Sequence, residues 1–127
     1  MEYPGYGIYK NESPDSELIQ QNAEVVFEFI THNLHYDPSD IIVFGRSMGS
    51  GPACYLASNH KVSSLILLSA YTSLKNVVKS LVGYIPSLLV KERFENYETI
   101  KRVECPTLII HGQNDQLIPY QHSQILA

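Results

Sequence analysis

Gly45-Arg46-Ser47-Met48-Gly49 follows the apolar run Ile41-Ile42-Val43-Phe44 and opens the small-residue stretch Ser50-Gly51-Pro52-Ala53. A strand, a sharp turn and a helix in that order form the setting in which a serine hydroxyl is held above a sheet as a nucleophile. The turn forces its central residue into a strained backbone conformation, and small residues on either side avoid collisions with the neighbouring strand and helix. Gly45 and Gly49 meet that requirement. The backbone N–H of Met48 then lies at the positive end of a helix and points to where a carbonyl oxygen acquires charge during acyl transfer. The chemistry offered is attack by Ser47 on an acyl carbon, with Met48 as one oxyanion donor. A chance Gly-x-Ser-x-Gly is the plain alternative, and the strand-like and helix-like flanks weigh against it. A phosphate-cradling loop is the rival from another class. It needs a third glycine where Cys54 stands, or a Gly-Lys-Ser/Thr that does not follow.

These residues need a sheet edge to stand on, and the chain alternates helix-forming and strand-forming sequence. The segment from Ser16 to about Leu34 reads as an amphipathic helix packed on a sheet, with Ile19, Ala23, Val26 and Ile30 on its apolar stripe. Ile41–Phe44, Leu65–Ser69 and Thr107–Ile110 read as strands, near-continuously apolar as parallel strands covered on both faces are. Right-handed crossovers between them bring the three C-terminal strand ends to one edge, where ligands bind in open α/β sheets.

Ser47 follows the first of those ends. After the third comes His111-Gly112-Gln113-Asn114-Asp115, which puts a carboxylate at the same edge. Such an acid orients a general-base histidine and stabilises its charged form. A turn-forming role is the plain alternative for Asp115. Of the five histidines, His32, His35 and His60 precede strands and so belong to the opposite end of the sheet. His111 is expected to brace its own turn, and His122, near the start of the following helix, is expected to act as a structural cap or surface residue. The stretch from Tyr71 to Glu104 reads either as a lid over an acyl-chain pocket or as ordinary crossover helices.

With 127 residues, 44% of them hydrophobic, the chain forms one core and one domain over residues 1–127. Its net charge of −4 and interspersed signs leave no basic face, which excludes nucleic acid as a partner. Cys54 and Cys105 sit among apolar neighbours without metal-ligand spacing, and both read as buried free thiols in a reducing compartment. No signal peptide or membrane-spanning apolar run is present in the sequence, and no cofactor or metal is called for.

Tyr3-Pro4-Gly5-Tyr6-Gly7, Ser16-Glu17, the stretch from Gly45 to Ala53, and Pro106-Thr107-Leu108-Ile109-Ile110-His111-Gly112-Gln113-Asn114-Asp115 occur in the order seen in eukaryotic α/β-hydrolase-fold serine hydrolases. Over nearly its whole length the chain resembles the subfamily that includes depalmitoylating acyl-protein thioesterases. The resemblance implies Ser47 as nucleophile, Met48 as oxyanion donor, Asp115 as triad acid, and Tyr3 to Gly7 as structural lining. It implies an acyl ester or thioester substrate and a cytoplasmic setting, with membrane association only through segments absent here. That family's base lies on a loop after a further strand and helix. We therefore expect an internal piece of an α/β-hydrolase fold, lacking the N-terminal strands and the C-terminal strand-helix unit, and inactive alone. The alternative is a non-catalytic hydrolase-fold module that binds a partner or ligand.

Overall fold

The computed structural model describes residues 2–11, 13, 15–82 and 93–127. Residues 83–92, part of the stretch read as lid or crossover, lie outside the described residues.

Three parallel strands, β1 (Ile42–Arg46), β2 (Ser64–Leu68) and β3 (Thr107–Ile110), form one sheet in the order β1-β2-β3. The register runs Val43↔Leu65↔Thr107 and Gly45↔Leu67↔Ile109, so the strand ends that carry Ser47, Ser69 and His111 are level. The observed strands differ from the sequence reading by a residue or two at β1 and by one at β2. α1 (Ser16–Glu28) precedes β1, α2 (Ser50–Asn59) joins β1 to β2, and α3 (Leu74–Val82) and α4 (Asn96–Ile100) lie between β2 and β3. α5 (Gln121–Leu126) follows β3.

α1 starts where the Asp15 carboxylate accepts the N–H groups of Glu17 and Leu18, each at 3.0 Å, satisfying two donors that no helical carbonyl can reach. It ends in a π-helical turn over Phe29–Asn33. The apolar stripe differs from the expected one. Ile19, Ala23 and Phe27 are buried, whereas Val26 is 42% exposed, because the helix turns its face largely onto α2 rather than squarely onto the sheet.

Period-2 alternation then decides what each strand buries. Val43 with Leu65 and Leu67 point at α2 and join Ala53, Cys54, Ala57 and Phe27 in the main core; Leu65 and Leu67 are wholly buried. The opposite face is more open than the sequence reading expected, since Ile42, Phe44, Leu108 and Ile110 are all exposed. Among the described residues, then, β1 and β3 are covered on one face only. A second cluster of Ile19, Tyr71, Val77, Phe94 and Ile118, with Tyr3, Met48 and Leu74 against it, packs around the C-terminal strand ends. Tyr3 thus takes the lining role expected of the Tyr3–Gly7 segment.

Candidate active site

The turn after β1 has the strained geometry its sequence demands. Ser47 has φ +50°, a left-handed conformation that a serine adopts only when its surroundings hold it there. It opens a 3₁₀ turn, Ser47–Gly49, that runs directly into α2. The N–H of Met48 therefore belongs to the first turn of a helical segment, where backbone donors lack helical partners and the dipole favours negative charge. Gly45 explains how α2 comes so close. A Cβ there would stand 2.6 Å from Ala53 Cβ, 2.6 Å from the Gly49 carbonyl oxygen and 2.9 Å from Ser50 Cα. At Gly49 the crowding is milder, since an added Cβ would lie 3.2 Å from the Tyr3 hydroxyl.

A buried polar network lies beneath this turn. The Ser50 hydroxyl donates to the Ser47 carbonyl at 2.7 Å. Asn96 Nδ2 donates to Ser50 Oγ and to the Tyr71 carbonyl, each at 3.0 Å. The Tyr71 hydroxyl reaches the Met48 carbonyl at 3.4 Å, and burial pushes its pKa upward. None of these three residues is evident from sequence spacing, because Asn96 joins partners 46 and 25 residues away. The small size of Gly51 was the available clue: a Cβ there would lie 2.4 Å from the Phe94 ring, so the segment around residue 94 must clasp the start of α2.

Asp115 lies in the loop after β3, on the same edge as Ser47. One carboxylate oxygen accepts the N–H groups of Leu117 at 2.9 Å and Ile118 at 3.0 Å; the other is 3.6 Å from His111 Nε2. The Ile118 N–H is the main cause that lowers its pKa, and the hydroxyl of Ser69, at the end of the middle strand, contributes. Asp115 is thus ionised at neutral pH and drawn toward the strand that adjoins Ser47. The side chain holds its turn through one oxygen and faces His111 with the other.

The histidines are accounted for by their partners. His111 Nε2 donates to the Ile118 carbonyl at 2.8 Å, and its Nδ1 accepts from the Ser123 hydroxyl at 2.6 Å, which is the bracing role expected of it. His60 stacks on Phe27 at 4.2 Å between ring centroids and pairs with Glu24 at 2.5 Å, away from the strand edge. His32 and His35 line a groove with His60 at that same end.

His122 departs from the reading as a cap or surface residue. It is buried, with 6% exposure, because α5 docks against the turn after β2. Its Nδ1 lies 3.0 Å from Thr72 Oγ1 and accepts the Thr72 N–H at 3.4 Å, and its Nε2 is 3.3 Å from Ser80 Oγ. Asn76 donates to Thr72 Oγ1, which leaves the Thr72 hydroxyl proton for Nδ1. The network assigns the neutral ring with its proton on Nε2. Burial, with a smaller contribution from His111, lowers its pKa from 6.5. The unfolded chain therefore binds the proton more readily than the folded one. The resulting stability is complete above about pH 6.5 and is lost as pH falls toward the lower folded value. Thermal unfolding at about pH 7.5 and about pH 5.5 should show lower stability in acid, and His122→Asn should flatten part of that slope. An unchanged slope in the variant would remove His122 as its source.

Cys54 is wholly buried and its thiol pKa is pushed up to about 12, which makes it inert. Cys105, expected to be buried, is only partly so because it stands at the entry to the edge strand β3. Among the described residues no cluster of histidine, cysteine and carboxylate side chains could hold a metal ion, and no helix is long and apolar enough to cross a membrane.

No protein-family model matches the chain. Its sequence is 31% identical over 126 residues to a protein of Acanthamoeba polyphaga mimivirus whose name classes it with alpha/beta hydrolases, covering 97% of this chain and 46% of that protein. It is 27% identical over 121 residues to the alpha/beta hydrolase domain-containing protein aho-3 of Caenorhabditis elegans, covering 95% and 35% respectively. The fold is similar to the crystal structure of an alpha-beta hydrolase from Vibrio vulnificus, with a TM-score of 0.76 at 20% identity over 89% of this chain and 45% of that one. The chain thus spans about half the length of these proteins or less. A parallel sheet with flanking helices and these likenesses define a partial α/β-hydrolase fold. The relatives and structural neighbours support the α/β-hydrolase superfamily.

Proposed function

We propose that this sequence carries the nucleophile, one oxyanion donor and the acid of a serine hydrolase that cleaves ester or thioester bonds, with depalmitoylation of proteins as the finer reading. The observation that carries the proposal is Ser47 at φ +50° between a strand and a helix, the conformation that lifts a hydroxyl clear of the sheet. Ser47 Oγ attacks the acyl carbon and its proton passes to a histidine base. The Met48 N–H donates to the oxyanion, and the tetrahedral adduct collapses as the leaving alcohol or thiol takes the proton from the base. Water then releases the acid by the same route.

Asp115 orients that base. The structural hydrogen bonds of His111 and His122 support a base supplied from outside these 127 residues, with this sequence as one part of a larger catalytic domain. The partly buried apolar side chains of Met48 and Leu74 near the turn suit an acyl chain. Two free cysteines accord with a reducing, cytoplasmic setting, and the acidic charge balance with a substrate other than nucleic acid. Membrane attachment, where it occurs, would come from segments outside this chain.

Hydrolysis of p-nitrophenyl butyrate tests the reading. The complete gene product should turn over with strict dependence on Ser47, while residues 1–127 alone should be slower by orders of magnitude, because oxyanion stabilisation without a base leaves only residual catalysis. Turnover that survives Ser47→Ala would overturn the proposal and favour a non-catalytic role for this site. Comparison with release of an S-palmitoyl peptide would then grade the thioester reading.

A further inference from the structure

We infer that Ser50 and Asn96 are positioning residues for the oxyanion donor, acting through one directed chain of hydrogen bonds that ends on the peptide group shared by Ser47 and Met48. The inference rests on the reading of Ser47 as nucleophile and adds two residues that neither motif nor spacing identifies.

The Ser47 carbonyl and the Met48 N–H belong to one planar, conjugated peptide unit. A donor bonded to its oxygen fixes the plane and draws electron density from the nitrogen, so the N–H becomes a better donor on the far side. Ser50 supplies that donor at 2.7 Å. Having given its proton to Ser47, the Ser50 oxygen accepts from Asn96 Nδ2 at 3.0 Å, so every bond in the chain points the same way. Asn96 Nδ2 gives its other proton to the Tyr71 carbonyl at 3.0 Å, which fixes the amide in one orientation. Ser50 is 0% and Asn96 1% exposed, so water does not compete and each bond works in a low dielectric. The Asn96 backbone is itself pinned, through its N–H to the Phe94 carbonyl at 2.8 Å and the Tyr97 N–H to the Thr72 carbonyl at 3.1 Å. A core that needed only filling would be served by apolar residues at both positions, without orphan groups to satisfy. The chain is instead aimed at a turn whose backbone is strained, with Ser47 at φ +50°.

The test is fluorophosphonate labelling of Ser47 in the complete gene product, with reagent affinity (KI) and bond formation (kinact) separated and rates normalised to folded protein by circular dichroism. Ser50→Ala should lower kinact about tenfold with KI unchanged, since one oxyanion donor is weakened rather than removed. Asn96→Ala should lower it about threefold, and the double variant should label no more slowly than Ser50→Ala, because Asn96 acts through Ser50. A purely structural network would reduce the folded fraction and leave kinact of the folded molecules alone. Ser50→Ala removes a single oxygen and decides the matter even where Asn96→Ala does not fold. Wild-type kinact in folded Ser50→Ala, or a change confined to KI, overturns this inference while leaving Ser47 as nucleophile. Failure of the unsubstituted protein to label at Ser47 overturns both.

Discussion

Asp115→Asn is expected to slow acylation of Ser47 by on the order of 10⁴-fold while leaving the fold in place. The substitution separates the two roles that the Asp115 side chain combines. Its turn role needs an acceptor for the N–H groups of Leu117 and Ile118, at 2.9 and 3.0 Å, and the asparagine carbonyl oxygen is such an acceptor. The proposed catalytic role needs the second oxygen, which asparagine replaces by a donor. A base held by that donor presents the wrong tautomer to Ser47. Stopped-flow acylation with an activated ester, alongside thermal unfolding, reads both effects. An unchanged rate with an unchanged melting temperature would reduce Asp115 to a turn residue.

Gly45→Ala is expected to destabilise the protein by about 3 kcal/mol or more, and to remove Ser47 reactivity with it. The added methyl would lie 2.6 Å from Ala53 Cβ and from the Gly49 carbonyl oxygen, and 2.9 Å from Ser50 Cα. Two of these are backbone atoms of the turn and helix start, so relief requires α2 to move off β1. Gly112→Ala is the matched control: a Cβ there meets nothing within 4 Å, and its stability should change by no more than about 0.5 kcal/mol. Urea unfolding of both variants checks the contrast. Equal stability would show that the close approach of strand and helix is not a constraint.

Much of this was legible because it is written in local pattern. The unbroken apolar residues before Gly45 and after Ser64 specify parallel strands, and Gly-x-Ser-x-Gly specifies a turn that only small flanking residues permit. The position of Asp115 followed from strand order alone. What escaped depends on how elements face one another. Phe27 replaces Val26 in the core because α1 leans on α2, a rotation that periodicity does not encode. His122 is buried by Thr72, a partner 50 residues away. The Ser50, Tyr71 and Asn96 network unites three separate segments, and each of its residues alone is an ordinary serine, tyrosine or asparagine. The exposed face of β1 and β3 likewise could not be foreseen, since a continuous apolar run reads the same whether or not a helix covers it.

The central claim is that Ser47 is the nucleophile, and peptide mapping of a fluorophosphonate adduct by mass spectrometry tests it most directly. In the complete gene product the adduct is expected on Ser47 and is expected to vanish in Ser47→Ala. An adduct on any other serine, or labelling that persists in that variant, would contradict it.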